Sequence, residues 1–447
     1  MRVAVRCGLC LGALLFAVPA EAFTNDICLA SQLWMLSGVR NDVFFKPFVK
    51  RWRPYDDFVR FSSGRGDMRF SRHLGHVVSI DEPVDGAVLT AALVNGDEFR
   101  TVASRKVTLR VGRQGVGTNE VVAQIVGDSF TRGQFFRDAL VDSGYVPGLR
   151  LVGLLRGGKG WHDEGRGGWS LASYFGVVKR ENQCYHGFMH PEDGRYWGSR
   201  AFWRMAWRCV RGTQPKGFEP SYSCARFDDV IGRLDESTGI PLDPEPGDVQ
   251  YDNEAGRFVR FDGKAWKPVD GDALRWTFDY GKYLRMWGVE APRFLFVVLG
   301  LNDWCQAPMN ADFSAWGERI ETFRRSYHAA CPDGMFVICI PCSTCGSIDN
   351  AGGAFTPRQN AAMWRFRDWL IRTYDGREKD GFHLLDTGVA IDDDYGFSVA
   401  EGEAAAPYAK YAGKERLRIQ TGNPHPYPNY PSMGVPLAAF IQYYRSR

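Results

Sequence analysis

The sequence predicts an α/β protein built on a parallel sheet and preceded by a small β-sandwich. Three observations carry that prediction. Apolar runs of buried-strand type recur at "VVAQIV" (121–126), "FLFVVL" (294–299) and "MFVICI" (335–340). Stretches with helical periodicity separate them, and strand alternating with helix implies a parallel sheet covered on both faces. The first 118 residues instead show short strands between turns and no helical pattern, which suits a sandwich.

The elements follow in chain order. "MRVAVRC" carries two arginines, "GLCLGALLFAV" is apolar, and Ala20-Glu21-Ala22 has the small-x-small pattern of a signal-peptidase site. Residues 1–22 are therefore expected to be a cleavable signal peptide, and the protein to be secreted or periplasmic. Cleavage removes two Arg and one Glu, taking the formal charge from +3 to +2. So small a charge, with no long basic run, argues against a nucleic-acid partner. No later stretch has the length of a membrane span. An apolar share of 45% with 14% aromatic residues points to packed cores. Oligomeric state is not legible.

Residues 23–118 form the expected sandwich. In "AVLTAALVNGDEF" the pair Asn95-Gly96 follows an apolar run, a strong hairpin signal, and "RKVTLRV" alternates at strand period. His73 and His76 lie close together but read as ordinary strand or surface histidines. "GRQGVGTNE" is a linker, and the second domain runs over 119–447.

Within it, "SAWGERIETFRRSY" places Trp316, Ile320, Phe323 and Tyr327 on one helical face. A second helix begins with Thr356 as N-cap and Pro357 in its first turn, and stops at Gly376. Residues 176–280, rich in Gly, Pro and aromatics, break the alternation and read as an insertion decorating the core. Strands are expected around Gly256 and Gly263. Nine cysteines follow the signal segment. "CIPCSTC" lacks a fourth ligand at metal-binding spacing and a nearby His, so no metal is implied. A disulfide from Cys305 to Cys342 or Cys345 is a topological expectation, with buried thiols as the alternative.

Four short blocks carry chemistry. Gly127-Asp128-Ser129 follows the first buried strand, although the same tripeptide is a common turn composition. A serine at the carboxyl edge of a parallel sheet stands where such folds bind ligands, and as a nucleophile it needs a base and oxyanion donors. "DEGRGGWSLASYF" (163–175) supplies Gly168, "VVLGLNDW" (297–304) supplies Gly300 and Asn302, and "TGNPHPYPNYPSMG" supplies His425.

In this order the blocks resemble those of the SGNH hydrolases, the GDSL esterase/lipase superfamily. The resemblance spans residues 119–447 outside the insertion and implies a three-layer α/β/α flavodoxin-like sheet. It implies Ser129 as nucleophile and His425 as general base. It also implies an oxyanion hole of the Ser129 and Gly168 N–H groups with the Asn302 amide. One departure stands out: the Asp usual three residues before the His is replaced here by Gly422. A backbone carbonyl, Asn423, Asp386 or the 392–394 acidic run are the candidates to orient His425.

The expected partner is an ester-bearing small molecule or carbohydrate, with no cofactor. Trp169, Trp304 and Tyr427 are candidates for stacking on sugar. An exported esterase with a β-rich appendage is expected to remove short acyl groups, acetyl above all, from carbohydrate. A lysophospholipase or thioesterase, and a glycan-binding protein that has lost turnover, are the alternatives.

Overall fold

The structure, a computed structural model, describes residues 26–50, 57–64, 70, 72–74, 76–117, 119–132, 140–157, 159–180, 183–215, 224–305, 307–308, 310–342, 357–391, 399–403, 416–420 and 430–446. Residues 1–22, where a signal peptide is expected, and Asn423, His425, Tyr427, Thr356, Cys345 and the 392–394 run lie outside these residues. Among the described residues no helix is long and apolar enough to cross a membrane.

Seven strands fill the N-terminal part: β1 (Gln32–Leu36), β2 (Asn41–Phe44), β3 (Asp57–Ser63), β4 (Arg72–Leu74), β5 (Val77–Ile80), β6 (Val88–Asn95) and β7 (Arg100–Gly112). They form a four-stranded sheet, β1-β7-β6-β3, and a three-stranded sheet, β2-β5-β4. Inward residues of both sheets, among them Leu33, Val43, Phe61, Ile80, Leu93 and Leu109, share one apolar core. The β6–β7 hairpin occurs where Asn95-Gly96 signals it, with a different turn. Asn95 pairs with Arg100, so four residues close the loop, and the positive φ (51°) falls on Phe99. The Asn95 side chain accepts the Glu98 N–H at 2.9 Å, using its polarity to close the wider turn.

The central sheet contains β8 (Val121–Gly127), β9 (Leu149–Val152), β10 (Leu155–Arg156), β11 (His162–Gly165), β18 (Phe294–Val298), β19 (Met335–Cys339) and β20 (Phe382–Leu385). Strand β8 pairs in parallel with β9 along its first half and with β11 at its end. On its other side β18, β19 and β20 follow in parallel. The three apolar runs of the sequence are β8, β18 and β19.

Seven helices are described: α1 (Ser129–Arg132), α2 (Arg200–Arg211), α3 (Tyr280–Trp287), α4 (Leu301–Trp304), α5 (Ser314–Ala330), α6 (Pro357–Tyr374) and α7 (Tyr430–Arg445). Trp316, Ile320, Phe323 and Tyr327 are all buried on α5, as their spacing predicts. Phe294 and Phe296 of β18 meet Phe440 of α7, whereas Phe336 of β19 meets Phe323 of α5. Phe336 is in register with Leu295, and alternate residues of a strand face opposite ways. Helices therefore cover both faces.

The region 176–280 is more than decoration. It holds β12 (Met189–Pro191) paired with β17 (Trp276–Phe278), and a sheet of β13 (Tyr196–Ser199), β14 (Val249–Asp252), β15 (Arg257–Phe261) and β16 (Trp266–Val269). Its Tyr185, Phe188, Trp197, Phe202 and Trp203 are buried in the same core as the strands of the parallel sheet. The N-terminal sheet is equally tied in. Trp34 of β1 packs on Phe440, Tyr443 and Tyr444 of α7, with ring centroids 4.6–5.7 Å apart. A last hairpin, β21 (Val399–Glu403) with β22 (Arg416–Gln420), precedes α7.

Candidate functional site

The chain leaves β8 for β9 on one side and returns to β18 on the other. In open α/β sheets a ligand crevice forms where neighbouring strands send their connections in opposite directions. Ser129 follows β8 and Asn302 follows β18, so both stand at that point, on the same edge.

Glycine permits this convergence. A Cβ on Gly127 would collide with the Thr131 side chain and the Val298 carbonyl, and one on Gly165 would strike the Arg132 backbone nitrogen. The ends of β8 and β11 and the first turn of α1 can pack together only because both positions are bare. Gly300, at φ 121°, is pressed equally closely on the Phe366 ring.

Asp128 caps α1. Its Oδ1 accepts the Phe130 N–H at 2.9 Å and its backbone carbonyl accepts the Arg132 N–H at 3.0 Å. The N–H of Ser129, in the first turn, has no intrahelical acceptor and is available to a bound oxygen. The Ser129 side chain is half-buried.

Residues 166–171 lie between the two strand ends. The Trp169 N–H returns to the Arg166 carbonyl at 3.2 Å, and Gly168 takes φ 76° at the third position of this turn. That is the requirement of a type II turn. A Cβ at Gly168 would meet nothing within 4 Å, so the need for glycine there is conformational. Asn302 and Asp303 hold the front of this loop. Asn302 Nδ2 donates to the Trp169 carbonyl at 3.1 Å, and both Asp303 oxygens accept the Leu171 N–H at 3.0 and 3.1 Å.

Two carboxyls near the site titrate high. Burial pushes Asp128 up to about 7, against the Phe130 N–H and with help from the charge of Asp303. Burial raises Asp303 to about 6, opposed by the Leu171 N–H and Arg319.

His186 lies beneath the loop, its ring 5.6 Å from that of Trp169. Its Nδ1 accepts the Phe188 N–H at 3.2 Å, so Nε2 carries the hydrogen donated to the Gly176 carbonyl at 2.8 Å. Burial, with the charge of Arg166, lowers it to about 3. Both of its ring nitrogens are already engaged, so it has no free lone pair to take a proton.

The stacking candidates are partly spent on packing. Trp304 meets Phe313 edge-on at 4.7 Å and leans on Phe366, and Trp169 packs on Tyr174, His186 and Arg166. Asp386, just past β20, pairs through Oδ2 with Arg367. It lines a cleft bounded by Trp34, Asn41, Val389 and, at the start of α7, Ser432 and Pro436. Cys305 follows α4, half-buried, and Cys342 follows β19, buried. Because β18 and β19 are parallel neighbours, both thiols stand at the carboxyl edge.

Sequence reasoning chose Gly168 but passed over the charged residues behind it. Glu164 and Arg166 are both fully buried, and the Arg166 guanidinium reaches Glu164 Oε2 at 2.6 Å. Burial disfavours the Arg166 charge, but the Glu164 carboxylate more than offsets this, so the guanidinium holds its proton more tightly than usual.

No family model and no curated protein matches the chain. Among solved structures it is similar to one from Chitinophaga pinensis described as "a possible lipase", at 11% identity and a TM-score of 0.32, over 73% of this chain and 100% of that one. It is also similar to one from Bacteroides fragilis described as "a putative alpha-galactosidase/melibiase", at 10% identity and a TM-score of 0.18, over 70% of this chain and 52% of that one.

Proposed function

We propose that the chain is an exported serine ester hydrolase of the SGNH type, with a flavodoxin-like sheet, that removes acetyl groups from carbohydrate. The observation that supports it is the meeting of Ser129, the Gly168 turn and Asn302 at one crevice of the parallel sheet. The Asn302 bond to the Trp169 carbonyl ties two of these together.

In this reading Ser129 Oγ attacks the ester carbonyl while His425 takes its proton and later returns it to the leaving alcohol. The N–H groups of Ser129 and Gly168 and the Asn302 amide receive the negative charge of the tetrahedral intermediate. Asn302 is exposed and its two internal bonds are long, 3.1 and 3.3 Å, so an oxyanion competes with weak acceptors. Asp386 or Asn423 orients His425. Loss of the orienter lowers kcat by about 10⁴, so Asp386→Asn and Asn423→Ala, each checked for folding, identify which it is.

The deciding experiment measures acetate release from acetylated xylan-type oligosaccharides by the mature protein and by Ser129→Ala, with a short-chain chromogenic ester alongside. Release that disappears in Ser129→Ala supports the whole reading. Turnover of the chromogenic ester alone keeps the mechanism and removes the substrate. No Ser129-dependent turnover of either favours glycan binding without catalysis.

A further inference from the structure

The front of the 166–171 loop is held by Asn302 and Asp303, and its back is held by a charge. Arg166 is 1% exposed. Its Nη1 donates to Glu164 Oε2 at 2.6 Å and its Nε to the Tyr185 carbonyl at 2.8 Å. Its guanidinium carbon lies 5.3 Å from the Trp169 ring centre and 5.6 Å from that of Tyr174. The backbone N–H of the same residue donates to the Gly127 carbonyl at 2.9 Å, two residues before Ser129. Tyr174 closes the arrangement: its single hydroxyl hydrogen is shared between the Gly127 carbonyl, at 2.7 Å, and the Glu164 carbonyl.

Glu164 is in turn fixed from the interior. Its Oε1 accepts the Leu154 N–H at 2.6 Å and the Tyr283 hydroxyl at 2.5 Å. Gln124 of β8 donates to Tyr283 at 2.8 Å and accepts from the Tyr280 hydroxyl at 2.6 Å. A chain of buried polar contacts thus runs from α3 through β8 to the turn bearing Gly168. Burying a charged pair in a core is expensive and is offset only by good geometry and further hydrogen bonds. The pair has these through Nε and Nη1, while Nη2 is left without a partner, and it sits directly behind the turn where an N–H must be aimed.

We propose that Arg166, with Tyr174, is a positioning residue that fixes the Gly168 N–H relative to Ser129. The inference rests on the ester-hydrolase reading. It also gives the 176–280 region a task, since Tyr185 supplies one of the anchors.

The test uses the full mature chain and three variants. Tyr174→Phe keeps the ring and removes the bonds to the Gly127 and Glu164 carbonyls. Arg166→Lys keeps a charge for Glu164 but loses the Tyr185 bond and the flat face beneath Trp169. Tyr196→Phe removes an equally buried hydroxyl whose acceptor, the Val178 carbonyl, lies outside the loop. Readouts are kcat and KM on a short-chain ester, the rate of Ser129 labelling by a fluorophosphonate, and thermal melting.

Tyr174→Phe is expected to lower kcat and the labelling rate about tenfold with KM nearly unchanged, and Arg166→Lys to lower them further. Tyr196→Phe should melt earlier with kcat intact. Wild-type kcat in folded Tyr174→Phe, or an equal kcat loss in Tyr196→Phe, overturns the positioning role. No labelling of Ser129 in the wild type overturns the ester-hydrolase reading, and the inference falls with it.

Discussion

Asn302 Nδ2 lies 3.3 Å from Asp128 Oδ2, linking the short helix after β18 to the residue that caps the turn after β8. Asn302 is exposed, so its removal uncovers little. On the proposed mechanism Asn302→Ala should lower kcat by about 10²–10³, the effect of losing one oxyanion donor. Its melting should move little, because exposed substitutions change stability by roughly 0.5 kcal/mol or less. Parallel kinetics and calorimetry check both halves.

The raised Asp128 carboxyl predicts a pH-dependent stability of definite sign. Unfolded, the group titrates near its ordinary value; folded, near 7. Between those values the native state holds the proton that the unfolded state has lost, so stability falls as pH rises from about 4 to 7. The slope is at most about 1.4 kcal/mol per pH unit from this group. Asp303, raised to about 6, adds to the lower part of the window. Asp128→Asn should flatten the decline in melting temperature across pH 4.5–7.5. An unchanged slope would remove Asp128 as its source.

Two glycines three residues apart should respond differently to Ala. Gly165→Ala drives a Cβ into the Arg132 backbone and should severely reduce folded yield. Gly168→Ala meets no atom and bears only its positive φ, a cost of roughly 1–2 kcal/mol. It should fold, melt a few degrees lower and lose activity as the N–H turns away. Expression, melting and kcat of the pair separate steric from conformational need.

Trp34→Ala should cost about 3–5 kcal/mol, the usual range for a buried Trp. Trp34 joins the N-terminal sheet to α7, so the loss should lower one melting transition for the whole chain. Two separate transitions would show that the sheet folds independently of α7.

The parallel sheet was legible because its central strands are buried on both faces and read as unbroken apolar runs. The placing of Ser129 and Asn302 at the sheet edge was legible because each stands three residues past the end of such a run. Glu164 and Arg166 were not, since a charged pair inside a Gly-rich stretch reads as a solvated turn until its partners from 174, 185 and 283 are in place. The aromatics of 176–280 hid for a related reason: they reach the core from short strands and turns, which have no period to detect. The β6–β7 turn was legible as a hairpin but not in its length, because Asn95 serves a four-residue loop as readily as a two-residue one.

The seam between the first strands and the last helices joins segments far apart in the chain. Ser31 donates its N–H and its hydroxyl to Asp375, at 2.9 and 2.6 Å, across 344 residues of chain. Closing so long a loop costs entropy before any contact rewards it. Helix α7 packs on both β1 and β20, so its seat is built from segments near the two ends of the chain. On the proposed mechanism, a chain interrupted before His425 would hold Ser129 without the residue that takes its proton.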